Sequence, residues 1–111
     1  MRSLSVREVK QALDALGPVL PGSISKQWNV CGKPGCRCKD PDRPRRHGPY
    51  YQLSFTVAGR SSTMFLKPEE LAAARQCLHR YRRFKELTAQ LVMAYVAQAR
   101  RHGLAALTEG N

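Results

Sequence analysis

Apolar residues recur at helical spacing near the start of the chain. They stand at Val6, Val9, Leu13 and Leu16, close to a period of 3.6 residues. The run Ser5-Val6-Arg7-Glu8 fits a capping box at the start of this pattern. Gly17-Pro18 follows it with a C-cap glycine and a helix breaker. The pattern therefore predicts a short N-terminal helix that is apolar on one side.

The middle of the chain alternates between apolar and polar residues. Every second residue from Tyr51 to Val57 is apolar, a pattern typical of a half-buried strand over residues 50–57. Ala58-Gly59 then suits a hairpin turn, and residues 60–66 return as a second strand. The even spacing of Ile24, Trp28 and Val30 indicates a third strand over residues 23–30.

A long helix is predicted for the last third of the chain. Neither proline nor glycine occurs from Glu69 to His102, and Pro68 with two following glutamates suits the helix start. The far half of this helix carries Leu91, Val92, Tyr95 and Val96 beyond so small a body. We expect a second helix, from the N-terminus or from another subunit, to cover that apolar stripe.

These elements predict an α+β fold with a small antiparallel sheet, a short N-terminal helix and a long C-terminal helix. A chain of 111 residues can form one domain with a modest core. We divide it into an N-terminal helix at 1–17, a loop, hairpin and helix domain at 22–91, and a helix end with tail at 92–111. Together these segments are expected to make a single compact domain.

The chain is strongly basic. Nineteen Lys and Arg against eight Asp and Glu give a formal net charge of +11, and residues 31–67 hold eight basic and two acidic side chains. Such an excess favours a polyanionic partner, DNA or RNA, over a merely solubilising surface. The sequence contains no charge-free run long enough to span a membrane, and no apolar segment follows Arg2 as in a secretory signal. We expect a cytoplasmic protein with no membrane partner.

Three of the four cysteines fall within eight residues, and a histidine follows. Cys31, Cys36, Cys38 and His47 form the pattern C-x4-C-x-C-x8-H. Structural zinc takes four thiolate or imidazole ligands in a tetrahedron, and the intervening glycines and proline allow the loop to curl around one point. In a reducing compartment such a cluster is more typical of a metal site than of disulfides. The sequence therefore predicts a zinc-knuckle loop with Zn²⁺ as cofactor.

Other interpretations of the cysteines stay open. Cys77, on the long helix, is an alternative fourth ligand in place of His47, although its apolar neighbours favour a buried hydrophobic role. An iron–sulfur cluster would need Cys77 as well. A redox dithiol lacks a C-x-x-C motif, and catalytic zinc lacks a recognisable general base. No nucleophile motif or phosphate loop occurs, so we do not expect an enzyme.

Candidate contacts to nucleic acid surround the cysteines and continue beyond them. Tyr50 is the best candidate for base stacking, because its strand parity places it on the opposite side from Tyr51, Leu53 and Phe55. Trp28 and Phe65 are further candidates, although core packing is the default interpretation of all three. On the long helix a basic strip is more typical of ordinary solvation, yet it would extend the surface if it lay beside the loop. The cationic candidates are Lys33, Arg37, Lys39, Arg43, Arg45, Arg46, Arg60, Arg75, Arg82 and Arg83.

Two runs of sequence resemble a known family. The runs are C-G-K-P-G-C-R-C at residues 31–38 and H-G-P-Y-Y at residues 47–51, followed by a hairpin and a helix. They are similar to a small prokaryotic family that is labelled a domain of unknown function and is sometimes found near transposase genes. The resemblance covers residues 22–91 and implies shared metal ligands, and it leaves the N-terminal helix and the tail after Val92 as features of this chain.

The sequence as a whole predicts a zinc-stabilised, basic nucleic-acid-binding protein. The resemblance implies an accessory role in a mobile-element or other nucleic-acid-processing system. The alternative is a zinc-stapled interaction module that pairs with itself or with a partner protein through the long helix. Salt dependence separates the two functions, because phosphate contacts weaken steeply with added salt and apolar helix pairing does not.

Overall fold

The structure is a computed structural model that describes residues 4–108. Helix α1 covers Val6–Ala15, strands β1, β2 and β3 cover Ser23–Asn29, His47–Val57 and Arg60–Leu66, and helix α2 covers Leu71–His102. Short 3-10 turns lie at Arg37–Lys39, Pro68–Glu70 and Leu104–Leu107. The three strands form one antiparallel sheet in the order β1-β2-β3. The predicted α+β fold is confirmed.

The hairpin between β2 and β3 turns where the sequence predicts. Ala58 and Gly59 have φ values of 52° and 78°, so both central residues lie in the left-handed region that a two-residue type I′ turn requires. The side chains of Thr56 and Ser61 hydrogen-bond across the turn, with their oxygens 2.8 Å apart. Strand β2 begins at His47, three residues before the predicted start, so this histidine belongs to the sheet.

The chain divides into two compact units, of which one comprises residues 21–78. This unit contains the sheet, the loop between β1 and β2, and the first turns of α2. Its buried residues are Cys38, Leu53, Leu66 and Ala74. Leu53 pairs with Ile24 on one side and with Met64 on the other, which places the core against the sheet face that carries these side chains.

The second unit contains residues 4–20 and 79–108 among those described. The predicted capping box is present, because the Ser5 side chain accepts a bond from the Glu8 amide and the Glu8 carboxylate accepts one from the Ser5 amide, both at 3.2 Å. Val9 and Leu87 are buried in this unit. This division does not test the predicted segments, which stay a prediction at 1–17, 22–91 and 92–111.

Helices α1 and α2 run in opposite directions within this second unit. Arg80 donates a hydrogen bond to the Pro18 carbonyl at 3.3 Å, and further along α2 the ring of Tyr95 lies 6.0 Å from the Lys10 ammonium. Helix α1 therefore covers part of α2, as predicted for the N-terminal helix. Val92 and Met93 nevertheless keep more than half of their surface exposed. Within residues 4–108 no helix is both long and apolar enough to cross a membrane.

Candidate metal centre

The four predicted ligands come together at one end of the sheet. The ligand atoms of Cys31, Cys36, Cys38 and His47 all lie within 4.8 Å of one another. The sulfurs of Cys31 and Cys38 are 3.5 Å apart, and the sulfur of Cys36 is 3.2 Å from Nε2 of His47. Two sulfurs on a tetrahedral zinc are about 3.8 Å apart when each Zn–S bond is about 2.3 Å. The observed spacings lie on both sides of this value, so small adjustments of these side chains accommodate zinc.

A tight turn brings Cys36 back toward Cys31. The Cys36 amide donates to the Lys33 carbonyl at 3.4 Å, with Pro34 in the second position of the turn and Gly35 in the third. Gly35 has φ of 78°, so this turn has the proline and the positive-φ glycine of type II. The sequence K-P-G between the first two cysteines thus sets the curvature that the metal site needs.

The 3-10 turn at Arg37–Lys39 places the third thiol inside. Cys36 caps this turn, and Cys38 within it is only 2% exposed. The Cys31 amide donates to the Cys38 sulfur at 3.3 Å, so the backbone also favours negative charge there. The C-x-C spacing therefore puts Cys36 at the N-cap position of the turn and Cys38 inside it, with both sulfurs in the cluster.

The strand ends carry the first and last ligands. His47 pairs with Asn29, two residues before Cys31, across an irregularity at Trp28. Gly48 permits this approach, since a Cβ atom there would lie 2.8 Å from the Gln27 carbonyl oxygen, and its φ is 137°. The β1–β2 pairing thus holds the loop closed at its base.

The side chain of Asp40 accepts hydrogen bonds from the backbone of the loop. The Asp40 carboxylate accepts from the amides of Asp42 and Arg43 at 2.9 Å and 3.3 Å. The Arg45 amide donates to the Arg37 carbonyl at 2.9 Å and ties the loop's return to the 3-10 turn. Asp40 therefore has a structural role in the loop, because its carboxylate is bound to backbone amides.

The protonation of the cluster suits metal coordination. The pKa of Cys36 is lowered from 9.0 to about 6, chiefly because the Cys38 amide hydrogen-bonds its sulfur. The Lys33 amide likewise lowers the pKa of Cys31. Burial raises the pKa of Cys38, and the neighbouring thiols of Cys31 and Cys36 raise that of His47. Two sulfurs thus favour the thiolate form that zinc binds.

Cys77 lies outside this group. It is half-buried on α2, and among the described residues the cluster of close ligand atoms consists of Cys31, Cys36, Cys38 and His47. The geometry favours His47 as the fourth ligand. An iron–sulfur cluster with four thiolates would need Cys77, which is not among these close ligand atoms.

The loop carrying the cysteines, residues 30–46, also displays six cations, and we call it the metal loop. All six side chains are exposed, and in the part of the chain that the structure describes none of them forms an ion pair. The sulfur of Cys36, whose pKa is lowered to about 6, lies beside them. The six residues are Lys33, Arg37, Lys39, Arg43, Arg45 and Arg46.

The remaining basic candidates are spread along the chain. Arg60 pairs with Val57 at the hairpin, at the opposite end of the sheet from the metal loop. Arg75 belongs to the unit of residues 21–78, whereas Arg82 and Arg83 belong to the other unit. Arg83 forms an ion pair with Glu86 at 3.2 Å. The structure therefore gathers six of the ten cationic candidates in one loop.

The three candidate aromatic residues are all exposed. Tyr50 is 43% exposed, as its strand parity predicts. Trp28 and Phe65 are exposed too, so the default expectation of core packing is wrong for all three residues. The Lys26 ammonium lies 5.7 Å from the centre of the Trp28 ring. Sequence reasoning missed Gln27 and Gln52, whose side chains hydrogen-bond across β1 and β2. Their paired positions on one sheet face follow from the register, which the sequence did not define.

A small α+β protein with a Cys3His cluster at a sheet end is thus the class that the fold and site define. Residues 4–76 match the family described as Domain of unknown function (DUF6788), and the chain belongs to this family. The prediction that the chain belongs to a family of unknown function is confirmed, and the matched range is residues 4–76 instead of the predicted 22–91. The match begins before α1, so the N-terminal helix is shared, and it ends within α2. No curated protein and no solved structure matches the chain.

Proposed function

We propose that this protein binds nucleic acid through the metal loop, with zinc held by Cys31, Cys36, Cys38 and His47. The observation that carries the proposal is the set of six exposed cations on one loop, without ion pairs in the described chain. Cations that are not neutralised by carboxylates are available to phosphates and release counterions on binding.

Zinc would have a structural role in this proposal. The metal loop is built from two turns, so four metal bonds would supply cross-links that its backbone lacks. A site filled by four protein ligands has no open position for water or substrate, and Asp40 is engaged by backbone amides. These features support a binding protein over an enzyme.

The strands beside the metal loop also support a polyanionic partner. None of β1, β2 and β3 contains Asp or Glu, whereas Lys26 and Arg60 lie within them. A sheet without carboxylates does not repel phosphates that extend past the loop. On the resemblance given above, we place this activity in a nucleic-acid-processing system such as that of a mobile element.

A second candidate function rests on the other unit. Val92 and Met93 are 60% and 63% exposed on α2, and exposed neighbouring apolar residues are typical of protein contacts. The alternative is therefore an interaction module that pairs α2 with a second copy or a partner protein. In that case the cations would serve solubility, and removing salt would not promote binding to nucleic acid.

A salt titration tests the proposal. Binding of full-length, zinc-loaded protein to dye-labelled DNA and RNA, single-stranded and duplex, is measured by fluorescence anisotropy. With about five phosphate contacts, affinity should fall about a hundredfold between about 50 and 200 mM salt. Absence of binding at the lowest salt would overturn the proposal. In the same buffers, salt-independent dimerisation by analytical ultracentrifugation would then support the interaction module.

A further inference from the structure

One face of the sheet is polar, exposed and aromatic at one end. The register pairs Gln27 with Tyr50, and it pairs Gln52 with both Ser25 and Phe65. Directly paired residues point to the same side of an antiparallel sheet, so these five side chains share one face. We call it the outer face. Leu53 and Leu66 belong to the opposite face and are buried.

Two rings stand out from the outer face. Tyr50 is 43% exposed and Phe65 is 71% exposed. Gln52 is two residues from Tyr50 along β2 and is the cross-strand partner of Phe65, so the two rings are diagonal neighbours. Diagonal side chains in such a sheet are about 7 Å apart, within reach of one ligand that stacks on both rings. Exposing a phenylalanine to this extent is unfavourable in water and is typical of a binding surface.

Amide groups lie beside the rings on the same face. The Gln27 amide donates to Oε1 of Gln52 at 2.9 Å and to the Ser25 hydroxyl at 3.3 Å. The Ser25 hydroxyl in turn donates to the backbone carbonyl of Gln52 at 3.4 Å. This network holds two glutamine side chains in place across the strands. These bonds use both donor hydrogens of Gln27, which leaves its acceptor oxygen and the two donor hydrogens of the Gln52 amide for the edge of a base.

The aromatic end of the outer face is also the end that carries the metal loop. Tyr50 lies three residues after His47 on β2, and Gln27 lies on β1 just before the loop begins. Phe65 is next to the last residue of β3, which ends at this same side of the sheet because it pairs antiparallel with β2. Cations for phosphates and rings for bases therefore lie side by side in one unit of the structure.

We propose that the outer face binds the bases of a single-stranded nucleic acid, which stack on Tyr50 and Phe65 while the metal loop holds the phosphates. The inference rests on the proposed function and names its substrate class. Bases of a duplex are stacked on one another, so they cannot cover protein rings, whereas every base of a single strand has a free π-face. None of the three β-strands contains Asp or Glu, so the outer face does not repel the phosphates of a bound nucleic acid.

The test compares three ligands with the same number of phosphates. They are a single strand, a duplex of half that length, whose two strands together match its phosphates, and a single strand of abasic sites, with DNA and RNA versions of the first two. Full-length, zinc-loaded protein should prefer the base-carrying single strand. Tyr50→Leu and Phe65→Leu should each weaken binding to that strand about tenfold, while affinities for the duplex and the abasic strand stay unchanged. The DNA and RNA arms then show which sugar is favoured.

Two matched variants control this test. Tyr50→Phe keeps the ring and should recover the affinity that Tyr50→Leu loses. Met64→Ala removes a side chain that is 45% exposed on the opposite face of β3, beside Phe65, and should also bind like the wild type. Circular dichroism establishes that each variant is folded, which is expected because Tyr50 and Phe65 are exposed.

The outcomes separate this inference from the function on which it rests. Equal affinity of the wild type for base-carrying, abasic and duplex ligands would overturn the single-strand inference and leave phosphate binding by the metal loop intact. Unchanged binding by both leucine variants would overturn it in the same way. If no ligand binds at low salt, the proposed function itself fails and the inference fails with it.

Discussion

The sulfur of Cys36 lies 3.2 Å from Nε2 of His47, although eleven residues separate them in the chain. Cys36 belongs to the turn-rich metal loop, whereas His47 is the first residue of β2. Their contact therefore joins the irregular metal loop to the first residue of a β-strand. A metal bound by both side chains would therefore fix the orientation of the loop relative to the sheet.

Removing the imidazole should weaken metal binding without unfolding the sheet. We expect His47→Ala to lower zinc affinity about a hundredfold, because structural zinc sites provide about 10–16 kcal/mol shared among four ligands. Competition with a chromophoric zinc chelator measures this change. His79→Ala, which alters an exposed histidine on α2, is the matched control and should leave affinity unchanged. Equal affinities for wild type and His47→Ala would remove His47 from the ligand set.

Zinc affinity should fall as the solution is acidified. Zinc binds thiolates and neutral imidazole, so protons compete with it. Because the pKa of His47 is raised above 6.5 and that of Cys38 above 9.0, protons compete for these two groups at higher pH than for an ordinary imidazole or thiol. The pKa of Cys36 is about 6, so below that pH this thiolate is protonated too, and the loss should be steepest there. Chelator competition from about pH 8 to about pH 5 measures the trend. An affinity that stays level or rises on acidification would contradict this assignment.

Reversing two charges on the metal loop should weaken nucleic-acid binding and spare the metal. We expect Arg45→Glu with Arg46→Glu to reduce affinity at least about tenfold at low salt, because two phosphate contacts are replaced by repulsion. Arg100→Glu with Arg101→Glu changes the net charge equally at an exposed pair near the end of α2. If the two double variants lose the same affinity, binding follows overall charge and the metal loop is not the contact surface.

The hairpin turn offers a prediction that is independent of function. Ala58 has φ of 52°, a conformation that asparagine adopts more readily than alanine, and Asn-Gly is the preferred type I′ pair. Ala58→Asn should therefore stabilise the protein by about 0.5 to 1 kcal/mol, seen as a midpoint a few degrees higher in thermal unfolding. Ala72→Gly, at an exposed position of α2, should shift the midpoint downward. A lower midpoint for Ala58→Asn would contradict the assignment of a type I′ turn.

Local sequence rules predicted most elements of the fold. Features that depend on residues close together in the chain can be predicted from the sequence. They are the capping box at Ser5–Glu8, the Ala58-Gly59 turn and the helix start at Pro68. The cluster of cysteines was predicted for a similar reason, because C-x4-C-x-C needs only two short turns to bring its sulfurs together. Placing His47 correctly depended on treating it as the nearest remaining ligand.

The exposed aromatic residues could not be predicted in the same way. A period of two shows that Tyr50 and Tyr51 face opposite sides of a strand, but it does not show how much of either side is covered. Thr63-Met64-Phe65-Leu66 is nearly continuous in apolar character, so Phe65 was assigned to the core by default, and only the pairing with Gln52 places it on the outer face. The start of β2 at His47 likewise depends on pairing with Asn29.

The most direct test of the account asks whether the metal supports binding. A single sample of full-length protein is measured against a short single-stranded oligonucleotide with zinc bound, after removal of zinc by a chelator, and after zinc is restored. We expect removal to weaken binding at least about tenfold, since the cations then lose their shared scaffold, and restoration to recover it. Binding that is the same with and without zinc would contradict the claim that a metal-held loop forms the nucleic-acid surface.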